Sequence, residues 1–245
     1  MNLNQHPQKF SPTKYARIGG AIYLMIIATG IFGELVVRNK LVVPGDAAST
    51  ASNLLASPLL WRLGISGDLV MHLCDIPLMV IFYLLLKPVN KNLALLNLLF
   101  NIVQTAVLTI NLLNFLMPLF LLGNSTYLAG ADMHSLQSMA YAFIKLNSYG
   151  FGIGLVFFGF VCLIEGYLIF TSGLLPKAIG LLMQLAGVCY LINSFTLILQ
   201  PDLARALFPF ILMPCFLAES SFALWLLIKG VNVSVWNQWS EASTR

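Results

Sequence analysis

The chain has 245 residues, of which 59% are hydrophobic and 9% charged, with a mean hydropathy of +0.86. Soluble domains run at about 45–50% apolar and about 25% charged, which excludes an ordinary globular protein, and a disordered chain needs the opposite balance. The net charge of +4, from 13 basic and 9 acidic residues, is too sparse for a nucleic-acid surface, so no nucleic-acid partner is expected.

About 20 apolar residues in a row span a bilayer as a helix, and the chain has room for six such spans. Lys9, Lys14 and Arg17 precede the first apolar run, as in a signal peptide. The run continues to Val37 without a small-x-small cleavage site, which makes it a retained span over about 18–37. The next spans fall at about 63–86, closed by Lys87-Pro88-Val89-Asn90-Lys91, and about 93–115, with room to run on to Leu122. The last three fall at about 148–170, 178–199 and 207–228, the final turn being made by Gln200-Pro201-Asp202. A membrane barrel would need roughly 10-residue strands of alternating polarity. The expectation is therefore an all-α membrane protein with six transmembrane helices, residues 17–230, between tails 1–16 and 231–245.

Two pieces outside the spans look helical. After Pro44-Gly45, Asp46 is placed to cap a short helix over about 47–56. Its apolar side would carry Ala47, Ala48, Ala51, Leu54 and Leu55, with Ser49, Thr50, Ser52 and Asn53 opposite, so it would lie across the outer end of the bundle. The stretch 132–145 reads as an extension of the fourth span, and Trp236 and Trp239 read as interface anchors in a short polar tail. With both termini inside, the inner face receives Lys9, Lys14, Arg17, Lys87, Lys91, Lys177, Lys229 and Arg245. The outer face receives Arg38, Lys40, Arg62, Lys145 and Arg205. That bias places both termini in the cytoplasm.

Polar residues within the spans carry the functional interest. Asp68, His72 and Asp75 sit at i, i+4 and i+7, on one helix face, ahead of Pro77, which bends the helix and frees a carbonyl one turn earlier. Such a face could hold a divalent metal, relay protons, or form a packed polar seam. Asn97, Asn101, Gln104 and Asn111 form a stripe on the next span, with Thr105 at its edge, suited to interhelical hydrogen bonds or to one wall of a cavity. Counting from the cytoplasmic ends at 1.5 Å per residue, Asp75 and Gln104 lie at about 18 Å, Glu219 at about 15 Å and Asn101 near 14 Å. Asp68 and Asn111 lie at about 28 Å and Glu34 at about 25 Å, framed by Arg38 and Arg62. Asp75, Gln104 and Glu219 thus share a depth, which predicts that spans two, three and six are neighbours. Glu165 lies nearer the cytoplasmic end, where its side chain could reach the interface.

Other features have structural readings. The four cysteines, Cys74, Cys162, Cys189 and Cys215, stand singly in apolar stretches, as small buried hydrophobes do. Gly152, Gly159 and Gly166 repeat at seven residues, as do Gly180 and Gly187, which predicts close helix packing. His6 and His134 lie in polar, solvated segments, and the glycosylation sequons at Asn124 and Asn232 carry no meaning in a bacterial cytoplasmic membrane.

The run Val43-Pro44-Gly45-Asp46-Ala47-Ala48 with Thr50 and Asn53, Arg62-Leu63-Gly64-Ile65 with Asp68, and Leu84-Leu85-Leu86-Lys87-Pro88-Val89-Asn90 resembles an uncharacterised bacterial integral-membrane family, domain of unknown function 4386. Gly166-Tyr167-Leu168-Ile169-Phe170 with Ser172-Gly173 and Pro176 is similar to it too, as is Glu219 with the segment from Phe222 to Gly230. The similarity covers nearly the whole chain. It implies a multi-helix bacterial membrane protein and brings no activity or catalytic residues with it.

The Walker loop, HExxH and GxSxG are absent. The sequence points to a multi-pass protein of the bacterial cytoplasmic membrane that binds a small or lipid-like ligand in a polar intramembrane pocket. The expected lining is Glu34, Arg62, Asp68, His72, Asp75, Asn101, Gln104, Asn111 and Glu219, with membrane lipids around it and no cofactor. Three alternatives stand beside this. One is a metal-dependent hydrolase or transferase holding zinc on Asp68, His72 and Asp75, with Glu219 or Glu34 as base. The others are a proton-linked transporter in which Asp75 and Glu219 titrate, and a structural or accessory subunit.

Overall fold

Six helices of the computed structural model, which describes residues 11–123 and 130–243, are long and apolar enough to cross a membrane. Lys9, His6, the Asn124 sequon and Arg245 lie outside the described residues. Among the described residues no strand is present.

The first crossing combines α1 (Pro12–Ile31), a π-helical segment (Phe32–Arg38) and one further turn, α2 (Asn39–Leu41). Proline at the first helical position suits α1, because the amide it lacks would have no partner there. The short helix α3 (Ala47–Ala56) follows, capped by the Asp46 side chain on the Ser49 amide. It is turned relative to its expected orientation: Thr50, Ala51 and Leu54 face inward, while Ala48 and Leu55 are exposed. Thr50 points in because its hydroxyl serves the loop, donating to the Asp46 carbonyl at 2.7 Å and accepting from the Val43 amide at 3.0 Å. The Gly45 amide donates to the Tyr141 hydroxyl at 2.7 Å and the Asn53 amide to the Leu41 carbonyl, which fastens this segment over the outer end.

The second crossing is α4 (Pro58–Leu86), continuous through Pro77. The third is α5 (Lys91–Asn111), capped by Asn90, continuing as α6 (Leu113–Leu122). The fourth, α7 (Met133–Ser172), runs 40 residues, so the extension ahead of the span is part of one helix, and it stops at Gly173, whose φ of +73° suits a glycine. The fifth is α8 (Lys177–Leu199). The turn expected at Gln200-Pro201-Asp202 is instead a helix, α9 (Pro201–Leu207), with proline in its first turn. The sixth crossing therefore begins later than position 207, at the turn Phe210–Leu212, and continues as α10 (Met213–Ile228). The polar tail is also ordered as a helix, α11 (Val233–Ala242). Its Trp236 and Trp239 indoles donate to the Leu85 and Ser172 carbonyls at 3.2 and 3.0 Å, the free carbonyl ends of α4 and α7.

Two apolar cores fill the bundle. The inner one is built around Tyr23, Phe82 and Phe222, with Phe82 stacked on Phe222 at 5.3 Å. The outer one is built around Trp61 and Phe115, edge to face at 5.2 Å, and closed by Ala51 and Leu54 of α3. Helices α7 and α8 meet along the expected glycines: a Cβ on Gly166 would stand 2.6 Å from the Gly180 carbonyl oxygen, and one on Gly187 2.7 Å from that of Gly159. Between the two cores lies a layer of polar side chains.

Candidate functional site

The outer part of that layer is an ion-pair group. The π-helical segment inserts an extra residue into the turn and swings Arg38 across the bundle. Arg38 Nε donates to Glu34 Oε2 at 2.7 Å, and Nη1 donates to Asp68 Oδ2 at 2.7 Å, with Nη2 at 3.4 Å from Oδ1. Gly33 makes the space, since a Cβ there would stand 2.7 Å from both Arg38 Nη2 and Asp68 Oδ1. The guanidinium also lies 5.3 Å from the centre of the Phe115 ring, whose backbone carbonyl accepts the Trp61 indole at 2.8 Å. Asp68 is buried, while the Glu34 side chain is 51% exposed and forms the rim. Arg62, expected in this group, is exposed, and Arg38 at the end of the π segment is the arginine that pairs with Asp68.

One turn deeper, His72 and Asp75 continue along the same face. His72 Nδ1 stands 3.6 Å from Asp75 Oδ2 and has no hydrogen-bond partner. Thr105 of α5 reaches Asp75 Oδ2 and Gln104 Oε1, each at 3.4 Å. Asn101 is buried on the same stripe. Asn97 donates to the Val161 carbonyl of α7 at 2.9 Å. Asn111 is paired with Asn147 of α7: each side-chain amide donates to the other's backbone carbonyl, at 2.8 and 3.0 Å. Gly150 leaves room for this pair, because any side chain there would overlap Asn111. The α5 stripe thus bonds mainly to α7.

The centre of the bundle holds a second acidic group. Glu219 of α10 accepts from the Tyr190 hydroxyl of α8 and from Tyr23 of α1. It interacts electrostatically with Asp75 on one side and with Glu165 on the other. Helix α10 meets α4 through Phe82 and Phe222 and through this Asp75–Glu219 approach, but it packs on α1 and α8, so the partner expected for Glu219, Gln104, is replaced by the two tyrosines. Glu165 does not reach the interface. It is 2% exposed, its Oε1 has no hydrogen-bond partner, and it borders an interior cavity of about 10 Å³ lined by Phe82, Ile169, Phe222 and Leu226. Helix α7 continues on to Ser172 and α11 seals the inner end, which leaves Glu165 well inside.

Arranged by depth, the described residues give a string that starts at Glu34 and passes through Arg38, Asp68, His72, Asp75 and Glu219 to Glu165. Arg38 bonds Glu34 to Asp68 and His72 stands beside Asp75, while Asp75, Glu219 and Glu165 are linked by electrostatic interaction across α4, α10 and α7. Asp68 is committed to Arg38, and among the described residues no three His, Cys, Asp or Glu side chains converge as ligands. Tyr23, Tyr190 and Asn147 were not legible as site residues in the sequence. Counted from the start of the apolar run, Tyr23 falls at only ~8 Å, and it comes level with Glu219 only because the helix begins earlier, at Pro12.

The family described as domain of unknown function (DUF4386) matches residues 18–230, and the chain belongs to that family. It is also similar to an uncharacterised protein of the archaeon Archaeoglobus fulgidus, 30% identical over 170 residues, which cover 69% of this chain and 85% of that protein. No solved structure matches the chain.

Proposed function

We propose that this family member is a proton-linked membrane protein that handles a small or lipid-like ligand, with Asp75 and Glu219 as its proton-bearing groups. What supports this reading is the succession of ionisable side chains by depth, from the exposed rim at Glu34 to the buried Glu165 and to Glu219, which interacts electrostatically with Asp75 and Glu165. Arg38 fixes Asp68 and sets the outer boundary of the string. His72, with its free Nδ1 beside Asp75, is the natural intermediate, because imidazole can accept a proton on one nitrogen and release one from the other. Glu219 gathers groups from every side: Tyr23 on α1, Asp75 on α4, Glu165 and Cys162 on α7, Tyr190 on α8 and Cys215 on its own helix. Intramembrane ionisable residues that converge in this way mark ion or substrate pathways. The charge bias of the loops supports a cytoplasmic membrane with both termini on the cytoplasmic side.

A structural role is the second reading, and closure favours it: the polar groups largely satisfy one another, and the cavity beside Glu165 holds a water at most. Proton flux separates the two. Full-length protein reconstituted into liposomes that contain a pH-sensitive dye is given an imposed membrane potential. The proposal expects proton entry above that of protein-free liposomes, reduced severalfold in Asp75→Asn and in Glu219→Gln, both of which keep the shape of the side chain. Flux equal to protein-free liposomes, or amide variants as active as the parent, overturns it.

A further inference from the structure

At the inner end of the bundle a groove of about 860 Å³ opens between the α4–α5 turn and α11. Lys87, Lys91 and Asn90 are among the residues that line it, together with Tyr83 and with Trp236 and Trp239 of α11. We propose that this groove is a binding site for the head group of an anionic phospholipid in the adjacent leaflet.

Position is the first reason. The groove sits where α4 ends and α5 begins, so it lies at the level at which head groups meet a spanning helix. Tryptophan and tyrosine favour that level, since their rings are apolar and their N–H or O–H groups are polar. Both indoles are fixed by their bonds to the Leu85 and Ser172 carbonyls, so the wall they form is rigid.

Charge is the second. The ion pairs Glu34–Arg38–Asp68 and Asp202–Arg205 lie elsewhere in the bundle, and among the described residues neither Lys87 nor Lys91 takes part in an ion pair. Both lysines are exposed, and no acidic side chain lines the groove. Lys87 is held over the Tyr83 ring, its Nζ 5.8 Å from the ring centre, which keeps its charge at the mouth. The 21-residue helix α5 also starts here, and its first amides and its dipole present positive potential on the same side. Lys14, Arg17, Lys177 and Lys229 stand at the same end of the bundle. A phosphate-bearing head group with net negative charge complements this lining, whereas a zwitterionic one brings no net charge to the lysines.

The groove is distinct from the string of acids, and its test does not depend on proton movement. Full-length protein is placed in nanodiscs of phosphatidylcholine alone or of phosphatidylcholine with phosphatidylglycerol. Retained lipid is then counted by native mass spectrometry, together with the thermal midpoint. The expected result is selective retention of phosphatidylglycerol and a raised midpoint, with retention falling roughly tenfold or more in the Lys87→Gln/Lys91→Gln double variant. Lys40→Gln, at the opposite end, should retain phosphatidylglycerol as the parent does. Equal retention of both lipids, an unaffected double variant, or the same midpoint rise from inorganic phosphate in phosphatidylcholine discs would each overturn the proposal.

Discussion

Helices α7 and α8 are joined by absence, whereas α1, α4 and α5 are joined by chemistry. Along α7 and α8, four glycines remove every side chain that would separate the backbones, and the contact is dry and close. Along the π segment, α4 and α5, the contact is made by polar side chains: Arg38 is ion-paired with Asp68, Thr105 reaches Asp75, and His72 is buried beside Asp75 with its Nδ1 unpartnered. The first kind of joint has one state, set by van der Waals packing. The second depends on charge and protonation, so it is where a membrane protein can be switched. Glu219 lies between the two, receiving Tyr190 from the helix that shares the glycine seam and Asp75 from the polar one.

The largest effect should come from the dry joint. In Gly180→Leu the new Cβ alone meets the Gly166 carbonyl and the Phe170 amide nitrogen at 2.7 Å, both backbone atoms. The helices must separate, and unfolding in detergent should show a loss of ~3 kcal/mol or more. The polar joint should break less completely. Arg38→Ala strands the buried Asp68 and should destabilise by ~3 kcal/mol at most, because the arginine is partly solvated. Adding Asp68→Ala should restore much of that loss, which a double-mutant cycle measures directly. A packing role for Arg38 alone would leave the two losses additive.

Asn147→Ala sharpens the contrast, because it removes one half of a reciprocal amide pair and leaves the charges alone. The expected loss is ~1 kcal/mol, with no change in proton flux. The smallest effect lies outside the membrane. Hydrogen bonds from the Ser49 hydroxyl, and then from its amide, hold Asp46 below its ordinary value of 3.8. A carboxylate depressed by folding stabilises the fold fully above its unfolded value and loses that contribution as pH falls through the lower folded one. The protection factors of the Ser49 and Thr50 amides, which compare exchange with the intrinsic rate at each pH, should therefore be steady from neutral pH to about pH 5 and fall only below the ordinary aspartate value.

The glycine joint was legible in the sequence because a seven-residue repeat of the smallest residue has few other uses in an apolar helix. The six crossings and the short outer helix were legible for a similar reason: length, hydropathy and one capping aspartate decide them locally. The polar joint was legible as a set of residues but not as a set of pairs. Arg38 reaches Asp68 only because of the π segment, and nothing in Phe32-Gly33-Glu34-Leu35 announces that insertion. Glu165 was misplaced because depth was counted to the end of the apolar run. The helix continues past that point, and a tail that reads as polar folds back to seal the inner end. Partners such as Tyr190 depend on how α8 and α10 rotate against each other, which hydropathy does not encode.

The central claim is that acids within the polar joint exchange protons while the fold stays intact. Infrared difference spectra of the reconstituted protein, taken between mildly acidic and mildly alkaline buffer, read carboxyl protonation directly. The account predicts a carboxyl band that changes with pH in the parent, is lost or halved in Glu219→Gln, and is shifted in Asp75→Asn, with the helical amide bands unchanged. A spectrum in which no carboxyl band responds to pH, or in which the response is the same in both amide variants, would contradict it.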